Sequence, residues 1–352
     1  MLPIQIKNID SVFLLSVARI SFLSLAEKII LLKNLDSSSN LALLSIEDIS
    51  FLCSRKIRAS SWDGKKNLLY AQKEYSILNA KKIGYLTYSD EDYPALLRET
   101  PNAPLVLFYR GNKAALLGPS VSVVGTRKIS PYAKQATSDF SYKAALSGCS
   151  VISGLANGVD GEAHRGVLNA WFDVLHQKDC DSLGKTVAVL PCGIDTVVPY
   201  NHTTLASKII ASGGALVSEY VPGVPAEPWR FVQRNRIIAA LSPATVVMQA
   251  PSGSGSLITA QFALDFNRDV MFHKAAFEEN ALTVSKMIEQ KLDEDFAQGK
   301  ISKSKLENTV QKYLDSGAPV IDSYDDYCRC LSEKPGTRCN KDLQLVFEDI
   351  YG

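Results

Sequence analysis

The amino-acid sequence predicts an α/β protein with a doubly wound, mostly parallel sheet, preceded by a small helical domain. Short runs rich in Val and Ile, of strand length and apolar on both faces, recur between about residues 120 and 272. Stretches with helical periodicity lie between these runs. Strands buried on both faces are typical of parallel sheets covered by helices, and strand–helix alternation implies right-handed crossovers.

The predicted strands and helices alternate along most of the chain. The predicted strands are Val121–Val124, Ser150–Ser153, Thr186–Leu190, Ala215–Ser218, Thr245–Met248 and Asp269–Phe272. The predicted helices are Tyr132–Leu146, Asp160–Ala170, His202–Ala211, Asn235–Leu241 and Ser256–Asn267.

The N-terminal part of the chain has a different pattern. Its apolar residues recur at spacings of three and four, as in Leu14, Val17, Ile20 and Leu23, which predicts short helices. We therefore expect a helical domain over residues 1–78, an α/β domain over residues 79–331 and a short tail over residues 332–352. Residues 280–315 carry nearly balanced charges and are expected to form a helical insertion in the α/β domain.

Composition excludes few functions by itself. The formal net charge is +1, so a site for a polyanion must come from local clusters of Arg and Lys. The seven cysteines are scattered without zinc-site spacing, and we expect no metal or other cofactor. The most apolar early stretch, Val12–Leu32, is interrupted by charges, so no membrane contact and a cytoplasmic location are expected.

Ligands of open α/β sheets bind at the carboxyl ends of the strands, so the residues after each strand matter most. The first strand is followed by Gly125, Thr126, Arg127 and Lys128. A tight turn, two bases and the following helix N-terminus together suit a phosphate group. An ordinary turn with two solvated bases explains the same pattern equally well.

The second strand leads into a Gly-rich loop that includes Ser153, Gly154, Asn157 and Gly158. The loop is typical of phosphate-cradling turns, although it matches neither the dinucleotide fingerprint nor the Walker motif. Ser153 with His164 also forms a candidate nucleophile–base pair, but no third catalytic residue is evident. A structural role for that histidine is the more frequent outcome.

The strongest local signal is a cluster of arginines and aromatic residues that follows the fourth strand. Arg230, Arg234 and Arg236 are interleaved with Trp229 and Phe231. Arginine forks bind phosphates, and aromatic rings stack on unpaired bases. A salt-bridged helix start remains an alternative for Arg236.

A Gly/Ser loop follows the fifth strand and runs directly into a predicted helix. Its candidate binding residues are Ser254, Gly255 and Ser256. Backbone N–H groups at such a helix start form a site for anions. A flexible linker is the alternative, but the loop lies between a buried strand and an apolar helix.

Taken together, these motifs resemble the DprA/Smf family of DNA-processing proteins over roughly residues 80–272. The segments that carry the resemblance are Tyr93-Pro94, Gly125-Thr126-Arg127, Ser153–Asp160 with Ala163-His164, Gly193-Ile194-Asp195, Ser218-Glu219, Arg234–Ala239 and Ser254–Ala260.

The resemblance implies an extended Rossmann-like domain that binds single-stranded DNA without catalysing a reaction. It further implies a homodimer that protects incoming strands and loads the RecA recombinase in natural transformation. By the family pattern, Arg127, Arg234 and Arg236 line the DNA pocket with Asn235 between the last two, and Phe231 stacks on a base. Gly154, Asn157 and Gly158 shape the same pocket.

Two enzymatic alternatives remain at the level of sequence. A nucleotide or nucleoside hydrolase of the lysine-decarboxylase-like class is expected to carry a Pro-Gly-Gly loop that ends in Glu, and the equivalent loop, Ser252–Ala260, lacks that Glu. A dinucleotide-dependent enzyme is disfavoured because no Gly-x-Gly-x-x-Gly follows the first strand.

Overall fold

The computed structural model describes residues 9–58, 61–175 and 182–333. The chain forms two compact units. Unit 1 contains the chain up to Arg110 together with Cys192–Thr196 and Val217–Pro225, and unit 2 contains the rest. The domain boundary near residue 78 stays a prediction, and most of the expected C-terminal tail lies outside the described residues.

Unit 1 begins with short helices whose starts are fixed by serine caps. Ser24 and Ser45 each accept a hydrogen bond from the backbone of the first turn, and the acid three residues on bonds back to the cap. Its helices are α1 (Ser11–Ala18), α2 (Leu25–Asn34), α3 (Ser38–Leu43), α4 (Ile46–Leu52), α5 (Gly64–Ala80) and α6 (Ala95–Arg98). An antiparallel pair, β1 (Gly84–Thr87) with β2 (Val106–Gly111), was not predicted from the sequence.

The strands that follow confirm the predicted fold class. They are β3 (Ser120–Val124), β4 (Ser150–Ser153), β5 (Thr186–Val189), β6 (Ala215–Ser218), β7 (Ala244–Val247), β8 (Asp269–His273) and β9 (Val320–Ile321). Within unit 2, neighbouring strands pair in parallel in the order β5-β4-β3-β7-β8-β9. The chain therefore builds outward in both directions from the β3–β7 pair, which is the switch point of a doubly wound sheet.

The helices of unit 2 are α7 (Pro131–Leu146), α8 (Val159–Val174), α9 (Thr203–Ala211), α10 (Pro228–Ala240), α11 (Gly255–Asp265), α12 (Glu279–Ala297), α13 (Lys303–Leu306), α14 (Val310–Asp315) and α15 (Tyr324–Ser332). The charged segment is thus helical over most of its length. Helix α10 starts at Pro228 rather than at the predicted Asn235, because the proline ring presets the backbone for the first helical position.

Helices cover both faces of the sheet in unit 2. Val121 and Val123 of β3 pack in one buried cluster with residues of α7 and α8. The intervening Ser122 instead donates its hydroxyl hydrogen bond to the Ile238 carbonyl oxygen of α10, at 2.7 Å. Since successive strand side chains point to opposite faces, α10 lies on the face opposite α7 and α8.

Within the described ranges, none of the helices combines the length and the apolar character that crossing a membrane requires.

Candidate nucleic-acid interface

A cavity of about 540 Å³ lies at the carboxyl ends of β3 and β7, in unit 2. Its volume falls in the range of ligand sites, and its place is the switch point where such sheets bind ligands. The residues that line it are Val124, Gly125, Thr126, Arg127, Ala156, Asp160, Pro228, Phe231, Val232, Arg234, Asn235, Ile238, Ser254, Gly255, Ser256 and Thr259.

Helix α10 supplies one wall of this cavity. Phe231, Arg234, Asn235 and Ile238 follow the spacing of three and four that places side chains on one helix face. The α10 backbone is held to the sheet farther along, where the Ile238 carbonyl oxygen accepts the Ser122 hydroxyl. The helix therefore presents a fixed row of aromatic, cationic and amide groups to the cavity.

The rim of the cavity carries an exposed arginine stacked on an aromatic ring. The Arg127 guanidinium carbon lies 5.3 Å from the centre of the Phe231 ring, which is a cation–π contact. The preceding Thr126 is anchored, because its backbone N–H donates to the Gln249 carbonyl oxygen at 2.7 Å. The guanidinium is thus held beside the ring while its N–H groups stay accessible to solvent.

The floor of the cavity carries a second arginine, and that side chain is buried. Arg234 is 3% exposed, and its Nη1 donates to the Val189 carbonyl oxygen at 2.6 Å. The buried Asp160 carboxyl lies nearby and accepts the Ala156 backbone N–H at 3.3 Å. Burial raises the pKa of Asp160, and the positive charge of Arg234 opposes that rise.

Two glycines of the loop after β4 make room for these groups. A Cβ at Gly154 would lie 2.6 Å from Asp160 Oδ2 and would collide with the Arg234 guanidinium. Gly158 has a φ of 79° and lies against the Thr126 and Arg127 backbone, where a Cβ would also collide. Both glycines shape the site from behind its surface.

The Gly/Ser loop forms a further wall of the cavity, next to α10, and leads into α11. Ser254 is the N-cap of α11, but no side-chain hydrogen bond caps the helix. The Ser254 and Ser256 hydroxyl oxygens are 2.9 Å apart, and Asn235 Nδ2 donates to the Gly255 carbonyl oxygen at 3.1 Å. The first-turn N–H groups of α11 and two hydroxyls therefore converge on the cavity, which suits an anion.

The charged insertion braces this loop from outside the cavity. The Gly253 backbone N–H donates to the Asn308 carbonyl oxygen at 2.8 Å. The Ser252 hydroxyl donates to Glu289 Oε1 of α12 at 2.5 Å. The Tyr313 hydroxyl, from α14, donates to the Leu257 carbonyl oxygen at 2.8 Å. Helices α12–α14 thus fix the strand–helix connection that ends in the binding loop.

The structure brings nine of the sequence-predicted site residues together. The predicted residues that line the cavity are Gly125, Thr126, Arg127, Phe231, Arg234, Asn235, Ser254, Gly255 and Ser256. Those outside the cavity lining are Lys128, Ser153, Gly154, Asn157, Gly158, Arg230 and Arg236. Whether each residue contacts DNA stays a prediction.

The residues outside the lining have other surroundings. Lys128 and Asn157 are exposed, and Asn157 Oδ1 accepts a hydrogen bond from Asn201 Nδ2 at 3.1 Å. The Arg230 guanidinium lies 4.7 Å from the Trp229 ring centre, and Arg236 is buried.

Ser153 and His164 do not form a nucleophile–base pair. The Ser153 hydroxyl donates to the Val123 carbonyl oxygen at 2.7 Å, and His164 Nδ1 lies 2.6 Å from the Thr186 hydroxyl. His164 is fully buried, and burial together with nearby positive charges lowers its pKa to about 3.

Among residues 9–58, 61–175 and 182–333, no group of three or more His, Cys, Asp or Glu side chains is placed to hold a metal ion.

Sequence reasoning missed the apolar lining and the buried acid. Val124, Ala156, Pro228, Val232, Ile238 and Thr259 carry no charge that would single them out. Asp160 was predicted only as the start of a helix, whereas that helix, α8, begins at Val159 and has Gly158 as its N-cap. The helical spacing of the residues from Phe231 to Ile238 could have identified this wall of the cavity. That inference requires a helix that begins at Pro228, before the predicted start at Asn235.

Comparison with known proteins places this arrangement in a family. The model of the family described as DNA recombination-mediator protein A matches residues 84–311. The chain belongs to this family. The predicted resemblance to DprA/Smf proteins is thereby confirmed.

One curated relative and two solved structures are similar to this chain, the structures at the level of the fold. The chain is 36% identical over 250 residues to Protein Smf of Synechocystis sp., covering 70% of this chain and 58% of that protein. The X-ray structure of DNA processing protein A from Streptococcus pneumoniae has a TM-score of 0.64 at 23% identity, covering 92% of this chain and 98% of that one. A Helicobacter pylori homologue, whose structure describes a single-stranded DNA binding mode, has a TM-score of 0.51 at 24% identity, covering 71% of this chain and 95% of that one.

Proposed function

We propose that the cavity binds single-stranded DNA and that this family member is a DNA-processing protein that acts by binding rather than by catalysis. The observation that carries the proposal is the Arg127 guanidinium held over the Phe231 ring at the cavity rim. Beside this pair are the uncapped N-terminal turn of α11 and the hydroxyls of Ser254 and Ser256. A phosphate donor set next to an aromatic face matches one nucleotide of a single strand.

The geometry favours a single strand over a duplex. In a duplex the bases are stacked on each other, so a base reaches a ring inside a cavity only after it is unpaired and unstacked. A single strand offers its bases and its phosphates together. Family membership supports this choice, as does the Helicobacter pylori homologue, whose structure describes binding of single-stranded DNA.

Binding without catalysis is supported by the position of Ser153, the candidate nucleophile, whose hydroxyl is engaged in a structural hydrogen bond. The Ser153 hydroxyl donates to the Val123 carbonyl oxygen, and His164 is fully buried with its Nδ1 beside the Thr186 hydroxyl. A nucleotide hydrolase would need another attacking group in the cavity. The one carboxyl group among the lining residues, Asp160, is buried beside Arg234.

The finer roles rest on family membership alone. We propose that the protein protects incoming strands and loads RecA on them during natural transformation, as a homodimer in the cytoplasm. Sedimentation at equilibrium tests the dimer. RecA filament formation on strands coated with single-strand-binding protein tests the loading, and equal filament growth with and without this protein contradicts it.

The deciding experiment measures fluorescence anisotropy of labelled oligo-dT and of a matched duplex. Arg127→Ala should weaken binding of the single strand and lower its salt slope by about 0.7, the value for one phosphate contact. The control is Lys143→Ala, because Lys143 is an exposed cation of α7 that neither lines the cavity nor belongs to the predicted site. Equal losses in both variants, or equal affinity for duplex and single strand, would contradict the cavity assignment.

A further inference from the structure

Unit 1 contains a strongly basic stretch within a nearly neutral chain. Residues 55–82 carry eight basic side chains and two acidic ones, a local balance of +6, whereas the whole chain has a net charge of +1. All eight bases are exposed. They are Arg55, Lys56, Arg58, Lys65, Lys66, Lys73, Lys81 and Lys82.

The two acids of this stretch offset only a small part of its positive charge. The Asp63 carboxylate caps α5 and accepts the Lys66 backbone N–H at 2.9 Å. Glu74 is 7% exposed and is paired with Arg19 on the inner side of α5. Glu74 is thus neutralised by Arg19 inside the fold, and Asp63 is the one exposed acid of residues 55–82, so the stretch keeps a clear excess of positive charge at its surface.

Most of the bases also lack an acidic partner from elsewhere in the fold. In the part of the chain that the structure describes, Arg55 pairs with Glu27 and Lys81 pairs with Asp195. The other six bases have no acidic group within ion-pair distance in those residues. A group of unneutralised exposed cations creates a field that attracts polyanions.

The outer face of α5 combines these cations with apolar side chains. Lys66, Leu69, Tyr70 and Lys73 lie on the side of the helix opposite its buried residues, by their helical spacing. Leu69 is 66% exposed and Tyr70 is 44% exposed. The Tyr70 ring has the Arg19 guanidinium carbon 4.9 Å and the Lys66 ammonium 5.9 Å from its centre.

We propose that the outer face of α5, with its flanking bases in residues 55–82, is a second binding surface for single-stranded nucleic acid. The surface contacts the sugar–phosphate backbone through its lysines and stays independent of sequence. Alternating cations and an aromatic ring are the features of surfaces that track single strands. This inference does not depend on the cavity in unit 2, which uses different residues.

The test compares full-length Lys66→Gln/Lys73→Gln with full-length Lys286→Gln/Lys291→Gln. The control pair is also exposed on one helix, α12, and changes the net charge equally. Binding is measured as a function of salt with an oligo-dT of about 6 nucleotides, near the lower size of one binding groove, and with an oligo-dT several times longer. Thermal unfolding of both variants checks that neither substitution pair disturbs the fold.

We expect Lys66→Gln/Lys73→Gln to lower the salt slope for the long strand by about 1.4, since each lost phosphate contact contributes about 0.7. Binding of the short strand should be unchanged, and the α12 control should match the wild type on both strands. A long-strand slope equal to that of the control overturns the proposal.

Two other outcomes also overturn it. Equal losses on the short and the long strand would mean that the lysines act through the cavity. A loss of binding to phosphatidylserine vesicles with unchanged long-strand binding would assign the surface to anionic lipid instead. Failure of Arg127→Ala to affect the short strand contradicts only the cavity assignment, so the two proposals fail separately.

Discussion

The rim and the floor of the cavity each contain one arginine, and the two arginines have different surroundings. Arg127 at the rim is exposed and stacks on Phe231, whereas Arg234 at the floor is buried against the Val189 carbonyl oxygen and near Asp160. A rim arginine can exchange water for a ligand phosphate at little cost. The floor arginine already donates to the Val189 carbonyl oxygen and lies near Asp160, so we expect its main effect on the shape and stability of the site.

The largest expected effect is the loss of folding stability when the floor arginine is replaced. Arg234→Met should lower the free energy of unfolding by about 3–5 kcal/mol, because the buried Asp160 loses its nearby positive charge and the Val189 carbonyl oxygen loses its donor. Urea unfolding measures this change. Arg127→Ala is the matched arginine control and should stay within about 0.5 kcal/mol of the wild type. Similar stability losses in the two variants would remove the distinction between rim and floor.

A smaller effect is expected when the aromatic ring of the rim is removed. Phe231→Ala should weaken binding of oligo-dT by about 1–3 kcal/mol without a change in salt slope, because stacking involves no phosphate. Trp229→Ala is the control, since Trp229 is an exposed aromatic residue of the same helix that does not line the cavity. An unchanged affinity for Phe231→Ala would exclude Phe231 from the binding surface.

The smallest expected effect near neutral pH is a change in the free energy of unfolding that comes from His164, which is buried close to Arg234. The folded-state pKa of His164, about 3, lies below its ordinary value of 6.5, so the unfolded state binds the proton more readily. The stability linked to neutral His164 is present above pH 6.5 and is lost as the pH falls toward 3. The expected loss is less than about 1 kcal/mol between pH 7 and pH 6, and it becomes steeper per pH unit at lower pH.

His164→Asn should remove this part of the pH dependence. The readout is the slope of unfolding free energy against pH, which does not depend on how much the substitution destabilises the protein at neutral pH. Identical slopes for the variant and the wild type would show that another group controls the acid response.

The sequence predicts the sheet well because strands buried on both faces have a simple composition. Val121–Val124 and Ser150–Ser153 are visible as runs rich in apolar β-branched residues, and the positions after them identify the ligand-binding edge. The antiparallel pair β1–β2 was missed because one of its strands, Gly84–Thr87, is short and only partly buried, although the other, Val106–Gly111, begins with a buried apolar run. The fold class therefore follows from the composition of the parallel strands, whereas the antiparallel strands β1 and β2 do not.

The sequence motifs identified residues of the candidate site but not how deeply each side chain is buried. Arg127 and Arg234 look alike in the sequence, since each stands beside turn or aromatic residues that suit a nucleic-acid site. Their difference arises from tertiary contacts: Gly154 lets Arg234 approach the sheet, and no local pattern encodes a contact eighty residues away. The same reason explains why Asp160 was missed as part of the cavity.

The contacts between the charged insertion and the Gly/Ser loop couple two segments whose sequences suggest no relation. Ser252 and Gly253 are held by Glu289 and Asn308, so the position of the loop depends on the folding of α12 and of the segment after it. Coupling free energy is reciprocal, so a ligand that fixes the loop also makes local opening of the insertion less favourable, and loosening of the insertion lowers ligand affinity. The insertion therefore gives a partner that never touches the cavity a physical route to control how tightly the cavity holds its ligand.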